Sequence, residues 1–186
     1  PYEIVVLMNR GSASASEILA AALKENGVAT LIGETTFGKG TVQMTFDSGV
    51  RDGSTIKLTI GKWLTPDGNF IEGNGVAPDI EVQLPDLFRV SPFVRGETIM
   101  RDDNGPEVRK LQLMLEGIGY EVDRTDGYFN ERTEEMLKAF QSAHDLEPNG
   151  ELDERTMDAL ELRVTEELVK PEHDVQLQKA IEYLSE

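Results

Sequence analysis

Ile4-Val5-Val6-Leu7-Met8 is an unbroken apolar run of strand length, the pattern of a strand buried on both faces. Ile18, Leu19, Ala22 and Leu23 follow at helical spacing, and Val28-Ala29-Thr30-Leu31-Ile32 before Gly33 predicts a second buried strand. Strand, helix, strand implies a parallel pair joined by a right-handed crossover. A parallel sheet needs covered faces and more than two strands, which the residues before Thr41 do not supply, so the expectation is that upstream sequence completes it. From Thr41 the period changes to two. Val42, Met44 and Phe46 alternate with polar residues, as do Ile56, Leu58 and Ile60, which predicts strands with one wetter face. Asp47-Ser48-Gly49, Arg51-Asp52-Gly53 and Thr65-Pro66-Asp67-Gly68 supply turn chemistry. The first part is therefore mixed α/β.

After a segment rich in proline, glycine and small polar residues the pattern becomes helical. Pro106 suits a first helical turn, with Val108, Leu111, Leu115 and Ile118 on one face and Gly119 as the stop. An internal repeat follows at an offset of 23 residues: Gly127, Phe129, Thr133 and Leu137 align with Gly150, Leu152, Thr156 and Leu160. Each copy is a glycine turn feeding a helix whose N-cap is Asn130 or Asp153, a cap worth about 1 kcal/mol. Near the end Val175, Leu177, Ile181 and Leu184 are placed for one more amphipathic helix. The expected division is an α/β part over 1–89, a linker over 90–97, a small all-α three-helix domain over 98–163, a second linker over 164–173, and a helix over 174–186 that returns to the first domain or makes a dimer contact.

Charge sharpens that division. The chain carries 18 Lys and Arg against 35 Asp and Glu in 186 residues, and most of the excess follows Arg95. A formal charge of -17 argues against nucleic acid as a partner. No apolar run reaches the roughly 18 residues of a membrane span. Without cysteine there is no thiol nucleophile or thiolate metal site, and only His144 and His173 could offer imidazole. No metal and no cofactor are implied.

Two motifs invite chemistry. Gly33-Glu34-Thr35-Thr36-Phe37-Gly38-Lys39 has the glycine spacing of a phosphate-binding loop, but Gly40 replaces the Ser or Thr that would reach magnesium, and a strand pattern follows instead of a helix. Gly11-Ser12-Ala13-Ser14-Ala15-Ser16-Glu17 lies where the first strand ends and the helix begins. Ser14 with Glu17 matches a capping box, the bland reading of both residues. Lys39 changes the balance, because the segment after the second strand of a parallel pair reaches the same sheet edge. Serine beside lysine makes a nucleophile and a base, provided the amine is neutral when it takes the proton. Phe37, Gly38 and Gly40 would desolvate it, and the neutral amide of Gln43 could orient it. The helix N-terminus and the backbone N–H of Ala15 would steady a developing oxyanion.

These residues resemble the carboxy-terminal processing, or tail-specific, serine proteases with a Ser-Lys dyad. The resemblance spans residues 4 to 82 through VVLMNRGSASASEI, IGETTFGKGTVQ, GSTIKLTIGKWLTPDG and GNGVAPDIEV. It implies a crotonase-like α/β protease core, incomplete at its N-terminal side, with Ser14 as nucleophile, Lys39 as general base and Gln43 positioning the lysine. It also implies a protein or peptide substrate, homo-oligomerisation, an extracytoplasmic location, and upstream parts that include a PDZ domain and a glycine donating a second oxyanion N–H. EVRKLQLMLEGIGY, TDGYFNERTEEMLKAFQ and NGELDERTMDAL resemble a peptidoglycan-binding three-helix module, and DVQLQKAIEYL resembles the last helix of the protease domain. The competing expectation is a catalytically silent fragment serving as a cell-wall-binding or protein-docking module, since acidic charge in this half would be repelled by anionic wall polymers.

Overall fold

Val5–Met8 forms strand β1, Ala15–Glu25 helix α1 and Thr30–Gly33 strand β2 in the computed structural model, which describes residues 2–47, 49 and 53–186. β1 and β2 pair in parallel, Val5 opposite Thr30 and Met8 opposite Gly33. The third strand comes from later in the chain: Ile80–Glu81, β5 in chain order, joins the other edge of β2 in parallel. It is two residues long and carries no periodic signature, so hydrophobic pattern could not reveal it. The Asp79 carboxylate ahead of it accepts from Leu31 N at 2.9 Å and meets Lys24 Nζ at 2.8 Å, tying the end of α1 to the sheet.

α1 turns a different face inward from the one its large apolar residues mark. Glu17, Ala20 and Ala21 are buried, whereas Leu19 is 60% exposed. The alanines let the helix backbone lie close to β2, and a bulkier face would hold it off. The C-terminal helix α5, Val175–Ser185, repeats this behaviour. It packs on β1 and β2 through Gln176, Ala180 and Tyr183, whereas of the expected stripe of Val175, Leu177, Ile181 and Leu184 only Leu177 is half-buried and the other three are exposed. Gln176 Nε2 donates to Val82 O at 2.8 Å, and the Tyr183 hydroxyl lies 3.0 Å from Thr30 Oγ1.

Strands β3, Thr41–Asp47, and β4, Thr55–Lys62, form a separate antiparallel ribbon. The expectation of one wetter face is corrected here, because Met44, Phe46, Ile56, Leu58 and Ile60 are each about half exposed and both faces of β4 are open. A two-stranded ribbon has no second layer of its own to cover its apolar side. Ser48, Arg51 and Asp52 of the expected turns lie outside the described residues. The turn after β4 forms as its residues dictate, Gly68 N donating to Thr65 O at 2.8 Å.

The chain divides into two units, one of residues up to Gln83 together with Val175–Glu186, the other Leu84–Asp174. The second unit starts and ends further out than its charge pattern suggests. Leu87, in a single 3₁₀ turn over Asp86–Arg89, and Phe93, in the expected linker, are buried in its core. Its last helix runs past Arg163 to Leu168, with Val164 inside. Between them lie α2 (Pro106–Gly117), α3 (Glu131–Ala143) and α4 (Glu154–Leu168), packed around Leu111, Leu115, Phe129, Leu137, Phe140, Leu152, Met157 and Leu160, none of which meets solvent.

The 23-residue repeat has a physical basis that the alignment did not show. Asn130 and Asp153 cap α3 and α4 by accepting from Thr133 N at 2.9 Å and Thr156 N at 2.8 Å. Behind each cap is a buried glutamine. Gln112 donates to Tyr128 O and Thr133 Oγ1 and accepts from Gly127 N; Gln141 donates to Glu151 O and Thr156 Oγ1 and accepts from Gly150 N. The Gly127 turn needs its glycine, since φ is 90° and a Cβ would lie 2.7 Å from Gly105 O. A glutamine in the core thus satisfies the backbone of the turn feeding the next helix. Gln141→Leu should destabilise this unit by about 3 kcal/mol, because it strands a buried donor and acceptors together; Asn130→Ala should cost about 1 kcal/mol. Urea titrations of the two variants should give that order.

Candidate active site

β1 and β2 run in parallel, so the loops leaving them emerge at the same sheet edge, the usual place for a site in such a fold. The first loop is built by Asn9, whose Oδ1 accepts from Gly11 N at 2.8 Å and whose carbonyl accepts from Ser12 N at 2.9 Å. It delivers Ser14 as the N-cap of α1 with φ 56° and ψ -114°. A left-handed conformation in a residue other than glycine costs of order 1–3 kcal/mol and persists only where the surroundings impose it.

The surroundings here are Glu17. The capping box of Ser14 and Glu17 is present, and the carboxylate also does what no capping box requires. Its Oε2 accepts from Ser14 N and from Lys39 N, both at 2.8 Å, and its Oε1 accepts from Gly38 N at 2.6 Å and Thr36 Oγ1 at 2.5 Å. Two backbone nitrogens on one oxygen stand no further apart than twice the bond length, so the Ser14 and Lys39 main chains meet here. Glu17 has no exposure to solvent. Burial alone would raise its pKa, but the Thr36 hydroxyl and the amides of Lys39, Gly38 and Ser14 outweigh it and hold the carboxyl below its ordinary value.

The second loop is braced from its other side. Thr36 N donates to Val76 O, Val76 N to Thr36 Oγ1, Gly73 N to Gly38 O, and Gly40 N to Glu72 Oε2 at 2.6 Å. Gly38 has φ 88°, and a Cβ there would lie 2.9 Å from Gly75 N, so the loop and the Gly73–Gly75 segment touch backbone to backbone. Phe37 N donates to Ser12 O at 2.9 Å, joining the two loops again. Beyond Gly40 the chain enters β3, and the helix that a phosphate-binding loop requires is absent from this point.

Lys39 is partly buried and makes no ion pair among the described residues, while the nearby buried Glu34 faces Arg10 at 3.9 Å. Phe37 does not wall the lysine off as expected: its ring is 66% exposed. Gln43 is exposed on β3, where the ladder register shifts between Val42 and Gln43, an irregularity of the kind that re-aims side chains. The structure therefore brings the Ser14 and Lys39 backbones together. Neither a Ser14–Lys39 side-chain hydrogen bond nor a Lys39–Gln43 one occurs among the described residues. The N–H of Ala15, exposed at the start of α1, donates to no protein acceptor among them either. Among the described residues no three His, Asp or Glu side chains converge to hold a metal ion, and no helix is long and apolar enough to cross a membrane.

Glu17 and Thr36 were missed as site residues. Glu17 lies at helical spacing with Ala20 and Ala21, a charge on the close-packed small-residue face, and that placement was the available signal. Its depressed pKa gives a signed expectation for stability. The stabilisation is complete above the unfolded value of roughly 4.3 and is lost as pH falls through the lower folded value. Glu17→Gln should lack that contribution at pH 7 and show a flatter dependence of the urea midpoint on pH below about 4. Gly38→Ala should destabilise the loop at every pH, read as a lower midpoint in the same titrations.

Comparison with known proteins adds to this geometry. Residues 1–82 match the family described as peptidase family S41, and residues 104–160 match the putative peptidoglycan binding domain. The chain is 42% identical over 183 residues to the carboxy-terminal processing protease CtpB of Bacillus subtilis, with 98% of this chain and 38% of that protein aligned. It is 41% identical over 180 residues to CtpA of the same organism, covering 97% and 38%, and 38% identical over 184 residues to a probable CtpA-like serine protease of Staphylococcus aureus, covering 98% and 36%. The chain thus spans less than two fifths of the length of these relatives. Within that span the match to peptidase family S41 ends at residue 82 and the match to the putative peptidoglycan binding domain begins at residue 104.

Proposed function

We propose that this chain belongs to a serine endopeptidase of the carboxy-terminal processing type that cleaves exposed tails or extended segments of proteins outside the cytoplasm. The observation that carries the reading is the meeting of the Ser14 and Lys39 main chains on one Glu17 oxygen, at the sheet edge where α1 begins. Ser14 Oγ attacks the scissile carbonyl carbon as its proton passes to the neutral Lys39 amine. The tetrahedral oxyanion is met by the Ala15 N–H, which has no protein acceptor among the described residues, and by the positive end of α1. Collapse expels the leaving amine, which takes the proton from Lys39, and leaves the acyl ester on Ser14. Water then attacks the ester, Lys39 again taking the proton, and releases the new carboxylate with Ser14 restored. Gln43 orients the lysine amine once substrate tightens the site, as catalytic hydrogen bonds are often long in a free enzyme.

The test is mass spectrometry of an unfolded reporter peptide with an apolar carboxy terminus, incubated with the chain and with its Ser14→Ala variant. Shortened products should form only with Ser14 present, and their rate should fall by about a thousandfold or more in Ser14→Ala. Lys39→Ala should leave acylation nearly absent around neutral pH. Products at an undiminished rate from either variant would remove the assignment.

A second reading concerns the helical unit, and a surface groove of about 420 Å³ favours it. The groove is lined by Arg101, Asp102, Tyr128, Asn130 and Arg132 among others, with the Tyr128 hydroxyl donating to Asp102 at 2.8 Å and the Arg124 guanidinium 5.0 Å from the ring centroid. Such a rim of hydroxyl, amide and paired charges suits a glycan or a polar protein surface, in keeping with a cell-wall or docking module. Co-sedimentation with purified peptidoglycan, diminished in Tyr128→Ala, would support the wall; binding that Tyr128→Ala leaves unchanged would count against this groove.

A further inference from the structure

We propose that Glu17 is a positioning residue for acylation, its one buried carboxylate fixing the nucleophile turn and the base loop in register; this rests on the Ser14 and Lys39 reading above. The geometry separates this role from simple helix capping. A cap needs only Ser14 N, yet three of the four bonds to Glu17 come from the base loop, from Thr36 Oγ1, Gly38 N and Lys39 N. Oε2 is shared by one donor from each loop, so any displacement of one relative to the other lengthens a bond.

The same bonds solve two further problems for the chemistry. They engage the Ser14 amide, so that among the first N–H groups of α1 it is Ala15 that stays open toward an oxyanion. They also surround an anion close to Lys39 with donors from backbone and hydroxyl, so that the lysine side chain need not neutralise it. Lys39 makes no ion pair among the described residues and is only partly buried. Thr36 completes the arrangement as a relay: its hydroxyl donates to Glu17 and accepts from Val76 N at 2.7 Å, passing the position of the Val76 segment to the carboxylate.

Glu17→Gln keeps the shape but places an NH₂ group where donors converge, so that donor faces donor. The experiment compares the whole chain with this variant under conditions where both are fully folded by circular dichroism, following cleavage of the reporter peptide and, separately, amide hydrogen exchange by NMR. A misplacement of about 1 Å between reacting groups costs roughly a hundredfold, so kcat should fall by about that factor while KM changes little. The amides of Ser14, Gly38 and Lys39 should exchange about tenfold or more faster in the variant, the effect of losing bonds of this kind. Thr36→Ser, which retains the hydroxyl, should restore both readouts relative to Thr36→Val. A wild-type kcat in Glu17→Gln would overturn the proposal, as would exchange at these amides that is unchanged between the two proteins. If the wild-type chain forms no Ser14-dependent product, the catalytic reading fails and the positioning role fails with it; faster exchange in the variant would then show Glu17 to be a structural clasp alone.

Discussion

A carboxylate can be withdrawn from water only if donors replace the water, and Glu17 has four. That requirement constrains everything around it. Two donors can reach Oε2 only if the loops after β1 and β2 lie side by side, which the parallel pairing of those strands provides. Two more reach Oε1 only if the Thr36–Gly38 segment is pressed inward, which its backbone contact with Gly73–Gly75 provides. The strained Ser14 backbone is the local cost of this arrangement, and the shared carboxylate makes it persist. Sheet order, glycine placement and nucleophile geometry are thus consequences of satisfying one charge.

The helical unit solves the same problem with neutral groups. Gln112 and Gln141 bring an amide into an apolar core and use both its donors and its acceptor on the turn that starts the next helix. An amide carries a smaller desolvation penalty than a carboxylate, yet Gln141 still engages four partners, Asn149, Gly150, Glu151 and Thr156, and Gln112 three. In both units a polar side chain in the interior fixes a junction between elements, while the apolar residues around it supply burial with little directional preference.

What was legible in the sequence follows from this difference. Strand runs, helix caps and the 23-residue repeat are local, and the structure has β1, β2, α2, α3 and α4 within a few residues of their expected places. The adjacency of Ser14 and Lys39 was also readable, because parallel strands send successive loops to one edge. The inward faces of α1 and α5 were not, since hydrophobicity marks Leu19 and Ile181, whereas close approach selects Ala20, Ala21 and Ala180. Glu17 was seen as a cap because its other partners are some 20 residues away in sequence. β5 is too short to have a period, and the outer limits of the helical unit are set by Leu87, Phe93 and Val164, whose burial no charge count could show.

The placement of α5 bears on the order in which the chain acquires structure. Tyr183 meets Thr30 across 153 positions, and between β5 and α5 lies a unit with its own core, continuous from Leu84 to Asp174. Joining two ends across a disordered stretch of that length carries an entropic penalty, which a folded insert reduces by fixing where its two ends emerge. A ribosome releases Leu84–Asp174 before α5, so the helices can settle while β1 and β2 still wait for α5 to cover them. The inserted module is then a spacer in time as well as in sequence, holding the two halves of the α/β unit within reach until synthesis supplies the second.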